Sequence, residues 1–229
     1  MTSHPLAGAL DQYRESFSQV VPFDPGRDSL YRLDLTLQNS LLNEQIYTDT
    51  TLFSRWINEM LRAHGARYGI GGYAEHRDIY AKSDHFDASG EPRRLHLGVD
   101  IWGPAGTPVF NFYDAVVHSF ADNNRNGDYG ATIILKYELG GHAFHALYGH
   151  LNRAALAGLQ KGGFVPAGKQ IASLGVPQEN GNWPPHLHFQ LIIDMKGMAG
   201  DFPGVCRYSE RDIFLANCPD PQVILSAGF

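Results

Sequence analysis

His186 and His188 flank a single leucine in Trp183-Pro184-Pro185-His186-Leu187-His188-Phe189-Gln190-Leu191-Ile192-Ile193. Two prolines close a Gly/Asn-rich loop, and the apolar and aromatic run behind them reads as a strand. Alternate residues of a strand share a face, so both imidazoles point one way, ~6–7 Å apart along the chain. Leu187, Phe189 and Leu191 take the other face, which suits a core. Taken alone, such a pair is as readily solvated, or two satisfied core histidines. A second stretch, His96-Leu97-Gly98-Val99-Asp100, changes that balance. On a straight strand its His and Asp side chains lie ~13 Å apart, too far to share a metal with bonds near ~2 Å. A helix would join them, but Gly98, Val99, Ile101 and Pro104 argue against one. A bend at Gly98, which tolerates backbone angles closed to other residues, makes them converge instead. A third stretch, Tyr148-Gly149-His150-Leu151, ends an apolar run that starts near Ala143, and its glycine allows a kink beside a histidine.

In this order the three motifs resemble those of the lysostaphin/LytM-type zinc metallopeptidases, which cut stem peptides and cross-links of bacterial cell walls. The resemblance covers about 95–195 and leaves no motif position unmatched. It implies one zinc per chain, held by His96, Asp100 and His188, with His150 and His186 as unligated catalytic histidines. Trp183-Pro184-Pro185, Asp201-Phe202-Pro203-Gly204-Val205-Cys206 and Cys218-Pro219-Asp220-Pro221 further resemble a subgroup found inside multidomain bacterial proteins, fused to aminotransferase and phosphotransferase modules.

Two histidines and one carboxylate leave a zinc centre with a charge of about +1 and an open position for water, whose pKa falls toward ~7. Unlike the His-Glu-x-x-His peptidases, this chain carries no glutamate beside its ligands. Proton movement therefore falls to His150 and His186, either of which can act as base while the other holds the oxyanion. The leading expectation is a zinc endopeptidase acting on peptidoglycan peptides. Two alternatives stand beside it: a cytosolic zinc hydrolase of the same fold acting on another amide or small peptide, and a metal-bound but inactive binding module.

A chain of 229 residues, 43% hydrophobic and 18% charged, has the composition of a globular protein with a substantial core. Its formal charge of −6 provides no basic footprint for nucleic acid. No apolar run approaches the ~18 residues of a membrane span. The first ten residues show no positive cluster followed by an apolar signal core, so the expected location is cytoplasmic, or periplasmic or secreted if a leader has been removed. Cys206 and Cys218 lie outside any Cys-x-x-Cys and read as structural, either free thiols or, in an oxidising space, a bridge across a C-terminal loop.

The elements that must position the histidines read as a mainly β domain, 95–229, with an N-terminal α-containing extension, 1–94. The expected architecture is an antiparallel β-sheet domain, barrel-sandwich-like as in LytM peptidases. Leu6, Leu10, Tyr13 and Phe17 predict a short helix around Ala7–Phe17, and 34–36 reads as extended. Leu52, Phe53, Trp56, Ile57, Met60 and Leu61 form one stripe of a helix near 50–64, capped by Asp49 or Thr50 and stopped at Gly65. Residues 66–94 read as an irregular connection wrapping the sheet. The resemblance to the LytM-type family, some of whose members carry a pro-segment over the zinc cleft, implies as an alternative a segment covering the cleft with Tyr73, Tyr80 or Arg93 lining it. Short strands follow: 107–110 and 115–120 around a turn at Asn111–Asp114, then a hairpin of 131–137 and 142–148 across Gly140-Gly141. The Asx-rich loop 122–130 lacks the carboxylates and terminal Glu of a calcium loop. Lys169, behind a Pro-Ala-Gly turn, matches the hairpin tip of lipoyl and biotin carriers, but a carrier needs no such set of placed His and Asp residues.

Overall fold

The computed structural model describes residues 5–87 and 90–226. Among the described residues lie twelve strands: β1 Leu30–Arg32, β2 Tyr68–Gly71, β3 Arg93–His96, β4 Val99–Trp102, β5 Pro108–Phe110, β6 Ala115–Asn123, β7 Gly130–Leu139, β8 His142–Leu151, β9 Phe164–Val165, β10 Gln170–Ser173, β11 His186–Ile192 and β12 Val205–Arg207. Five helices accompany them: α1 Pro5–Gln12, α2 Glu44–Thr48, α3 Thr50–Ala63, α4 Arg211–Asn217 and α5 Gln222–Leu225. The main sheet runs β1-β2-β4-β11-β8-β7-β6-β9, and β5/β10 and β3/β12 form two-stranded sheets. Every pairing is antiparallel except β1 with β2. The protein is therefore mainly β, as expected. Its main sheet is open, however, and does not close as a barrel. Among the described residues no helix is long and apolar enough to cross a membrane.

Strand alternation sorts β11 between two environments. Leu187, Phe189 and Leu191 enter the large core with Val99, Ile101, Tyr137 and Tyr148. His186, His188 and Gln190 face the other way, yet are also buried. The β7–β8 hairpin turns at Gly140 and Gly141, whose φ angles of 56° and 81° meet the positive-φ demand of a two-residue turn.

Helix α3 follows from its sequence. Asp49 caps it by accepting from Thr51 N and Leu52 N, and Gly65 follows it with φ 58°. Its buried stripe of Phe53, Trp56, Ile57 and Leu61 packs against Leu33, Trp102 and Trp183. Each such burial is worth about 1.5–3 kcal/mol over exposure, and this one braces the two tryptophans that flank the histidines of β11.

Several local expectations give way to tertiary or side-chain effects. Residues 34–36 form an Asx turn, with Asp34 Oδ1 accepting from Thr36 N and Oγ1, and the strand lies at β1 instead. The first helix stops at Gln12, where a 3₁₀ turn takes over and the Ser16 hydroxyl donates to Tyr13 O. The turn at 111–114 joins different sheets, because β5 pairs with β10 while β6 pairs with β7 and β9. Buried Asn111 pins that crossing, donating to Val165 O and Pro166 O and accepting from Tyr137 Oη. Residues 68–71, read as irregular for their glycines, are strand β2. A Cβ on Gly69 would lie 2.5 Å from Leu33 Cδ1, and one on Gly71 2.7 Å from Arg77 Nη2. Those glycines mark close approach within a sheet, not a loop.

Candidate metal centre

The chain breaks between β3 and β4, so that His96 ends one sheet and Asp100 enters another. His96 Nε2 and Asp100 Oδ1 thereby come within 3.2 Å. The bend lies at Leu97–Gly98, but φ at Gly98 is not positive. Glycine is required there for a different reason than backbone angle: a Cβ would sit 2.7 Å from Phe189 O and 2.9 Å from His188 Cε1. Gly98→Ala is accordingly expected to lower stability by about 1–3 kcal/mol, the usual range for overpacking, as measured by urea unfolding.

β11 supplies the third group, pairing His188 with Asp100 on one side and Gly149 on the other. His188 Nδ1 lies 3.0 Å from Asp100 Oδ1 and 3.0 Å from His96 Nε2. Among the described residues, His96, Asp100 and His188 are the one His/Cys/Asp/Glu group of three or more with metal-like spacing, and all are buried. The outer atoms set the tautomers. His96 Nδ1–H donates to Gly72 O at 2.9 Å, and His188 Nε2–H donates to Gln190 Oε1 at 2.9 Å. Two ring-nitrogen lone pairs and a carboxylate oxygen thus face one another at contact distance. Burial, helped by the Arg77 charge, lowers the His96 pKa to about 4, so its Nε2 stays unprotonated at neutral pH. Burial alone would raise the Asp100 carboxyl; His96, which carries a charge only at acid pH, and the permanent Arg77 charge overcome it and hold the group well below the usual carboxylate range. Lone pairs packed this closely call for a cation, and two imidazoles with one carboxylate are a donor set that suits zinc.

His150 and His186 lie beside this cluster, with ring centres 4.1 Å apart. His150 sits at the end of β8 in the left-handed region, φ 61°, where histidine is tolerated better than most residues. The kink falls on the histidine itself. Gly149 serves the neighbouring ring, since a Cβ there would lie 2.7 Å from Tyr129 Cδ1. The His150 backbone stays paired, its N–H donating to Tyr129 O and its carbonyl accepting from Gly175 N. His150 Nδ1–H donates to Asn180 O, and His186 Nδ1–H to Pro184 O, both at 2.8 Å. Each ring therefore keeps a free Nε2. Trp102 stacks on His186 at 3.9 Å and fixes its plane. Burial, reinforced by His186, drives the His150 pKa well below its ordinary value. Burial also takes His186 to about 4, so both rings are neutral near pH 7.

These groups floor a cleft of about 260 Å³. Tyr80, Phe86 and Arg93 from the 66–94 segment form part of its wall, with Asp128, Phe202 and Met198 also lining it. Tyr73 does not line the cleft; its hydroxyl donates to Cys218 O. Cys206 and Cys218 are free and buried, and Gln190 Nε2 donates to Cys218 Sγ at 3.3 Å. Sequence reasoning missed Arg77, Trp102, Asn180 and Gln190. Only Gln190 carried a signal, since it continues the two-residue period of His186 and His188. His118 on β6 and His145 on β8 come to 4.8 Å between ring centres, with no third donor grouped with them among the described residues.

The chain matches the model of Peptidase family M23 over residues 94–199. It is 33% identical over 101 residues to the DD-carboxypeptidase/endopeptidase Mpg of Neisseria meningitidis serogroup B, a match covering 44% of this chain and 21% of that protein. The chain thus spans about a fifth of the length of that relative. Among solved structures, the catalytic domain of the antimicrobial peptidase lysostaphin from Staphylococcus simulans is similar with a TM-score of 0.45 and 22% identity, covering 76% of this chain and 97% of that one. A zinc-containing peptidase from Vibrio cholerae is similar with a TM-score of 0.35 and 26% identity, over 43% of this chain and 27% of that one. His96, Asp100, His150, His186 and His188 all fall inside the stretch, residues 94–199, that is similar to Peptidase family M23.

Proposed function

We propose that the protein is a zinc-dependent metallopeptidase that hydrolyses peptide bonds in the stems or cross-links of peptidoglycan. The observation that carries this reading is the convergence of His96 Nε2, Asp100 Oδ1 and His188 Nδ1 within 3.2 Å of one another, lone pairs inward, with Asp100 and His188 lining a cleft. These three residues would hold the ion, and His150 and His186 would be the catalytic histidines. Zinc bound there supplies Lewis acidity toward the scissile carbonyl and acidifies a water molecule.

The remaining work falls to side chains. His150 and His186 are neutral, and their Nδ1 atoms are committed to backbone carbonyls. Each can accept a proton only at Nε2 and return it from there, first from the attacking water and then to the departing amine. Whichever ring is protonated becomes a donor to the oxyanion. The stacked Trp102 keeps the His186 ring from turning away, and Asn180 does the same for His150. Peptidoglycan as substrate draws on Mpg, a DD-carboxypeptidase/endopeptidase at 33% identity over the matched region.

Metal removal tests the reading directly. Dialysis against a strong chelator is expected to stop the release of new amino groups from purified wall and from free stem peptides, and one equivalent of zinc should restore it. Hydrolysis that persists in metal-free protein would remove zinc from the mechanism. Restored hydrolysis of free peptides with none of wall would move the substrate away from peptidoglycan.

A further inference from the structure

Arg77 lies outside the family match, in the 66–94 segment, and is among the largest wholly buried side chains. A guanidinium without solvent needs its donors satisfied by the protein, and four contacts are made. Nε donates to Glu75 Oε2 at 2.7 Å, Nη1 to Asp100 Oδ2 at 2.5 Å and to Tyr80 Oη at 3.2 Å, and Nη2 to Gly72 O at 3.0 Å. The Gly72 carbonyl also accepts from His96 Nδ1. One side chain therefore holds the outer oxygen of Asp100 and the carbonyl that accepts from His96.

The backbone carries the arginine to that place. Arg77 N donates to Arg94 O, His96 N to Glu75 O, and Ala74 N to His96 O, so residues 74–77 are zipped along β3, which ends in His96. Gly71 leaves room for the guanidinium, since a Cβ there would meet Nη2 at 2.7 Å. The charge arithmetic is also balanced. A lone arginine beside a cation would repel it, but Glu75 pairs with Arg77 from the side away from Asp100 and offsets its charge.

An aspartate in a roomy site can turn either oxygen inward or chelate with both. With Oδ2 tied to Nη1, only Oδ1 faces His96 Nε2 and His188 Nδ1. Resting on the metal site proposed above, we propose that Arg77 is a positioning residue of that centre, holding Asp100 by Oδ2 so that Oδ1 alone meets the ion. The functional unit then begins upstream of the family match. A lysine cannot replace the arginine, because its point charge lacks the planar fork that reaches a carboxylate, a second carboxylate and a carbonyl together.

The test measures zinc affinity on the full chain by competition with a chromogenic chelator, with a circular dichroism melt for each variant. Parent, Arg77→Lys and Arg77→Met are compared, and the same two changes are repeated in an Asp100→Asn background, which keeps Oδ1 as a donor but replaces the Oδ2 that accepts from Arg77 with an amide nitrogen. Arg77 variants with a parent-like spectrum are expected to lose about 10–100-fold in zinc affinity, the usual effect of removing an outer partner of a ligand. In the Asp100→Asn background the same changes should shift affinity by less than about threefold, because the contact through which Arg77 acts is already gone. Parent-like affinity in the folded Arg77 variants overturns the assignment. So does an equal loss with Asp100 and with asparagine in its place, which would make Arg77 a general support of the fold. If Arg77→Met does not fold, the Arg77→Lys pair decides alone. A parent protein that binds no zinc overturns the metal centre, and with it the proposed function, and is distinguishable from either result.

Discussion

His188→Ala is expected to leave the purified protein without bound zinc after dialysis, where the parent keeps one ion per chain. The loss should exceed the ~10–100-fold that follows removal of an outer partner, because His188 supplies one of only three converging donors. The remaining pair, His96 Nε2 and Asp100 Oδ1, lies 3.2 Å apart and presents two ligands where zinc takes three or four. Secondary structure should survive, since the Leu187 and Phe189 side chains that anchor β11 face the opposite core. Metal analysis and circular dichroism on one sample decide the matter. Full occupancy in a folded His188→Ala protein would remove His188 from the ligand set.

The second large effect is expected at His150, with the opposite pattern. If His150 moves the proton or donates to the oxyanion, its loss should cut kcat by about 10²–10⁴-fold while zinc content stays at the parent level. His150 comes from β8, and its Nδ1 is committed to Asn180 O, away from the three converging donors. His186 is two residues from His188 on the same strand face, so its replacement would mix catalytic and metal effects. Backbone geometry sets the best variant. At φ 61° an alanine costs about 1–2 kcal/mol, whereas asparagine tolerates this region. His150→Asn removes the imidazole with the least strain, and His150→Ala serves as its control. Activity within a few-fold of the parent in a zinc-loaded His150→Asn protein would take His150 out of the mechanism.

Both experiments concern residues that stand out in the sequence by type and spacing. His186 and His188 share a strand face because the side-chain period of a strand is two, and their intervening and following apolar residues point to a core. The β7–β8 hairpin was legible from two adjacent glycines, and α3 from its stripe and its Asp49 cap, because each rests on contacts within a few residues. The β1–β2 edge was not legible. Its glycines at 69 and 71 look like breakers, and only the approach of Leu33 and Arg77 explains them as strand residues. The 34–36 stretch failed for the converse reason, a side-chain turn at Asp34 outweighing a weak extended pattern.

By itself the sequence determined the chemistry on offer: imidazoles at 96, 150, 186 and 188, a carboxylate at 100, and the local strand and turn patterns that carry them. Donor identity and near-neighbour periodicity are written in adjacent residues. Tertiary structure alone decided which atoms meet. The break between β3 and β4 brings His96 to Asp100, the β4–β11–β8 pairing sets His188 and His150 beside them, and the left-handed turn at His150 directs that ring. It also decided the protonation pattern, because Gly72, Gln190, Asn180 and Pro184, distant or unremarked in sequence, occupy the outer nitrogens and leave the inner ones free. Arg77 carries no local signal at all. Its role depends on the chain folding back along β3 to bring Arg77 to Asp100, 23 positions later, a contact that no period or motif encodes.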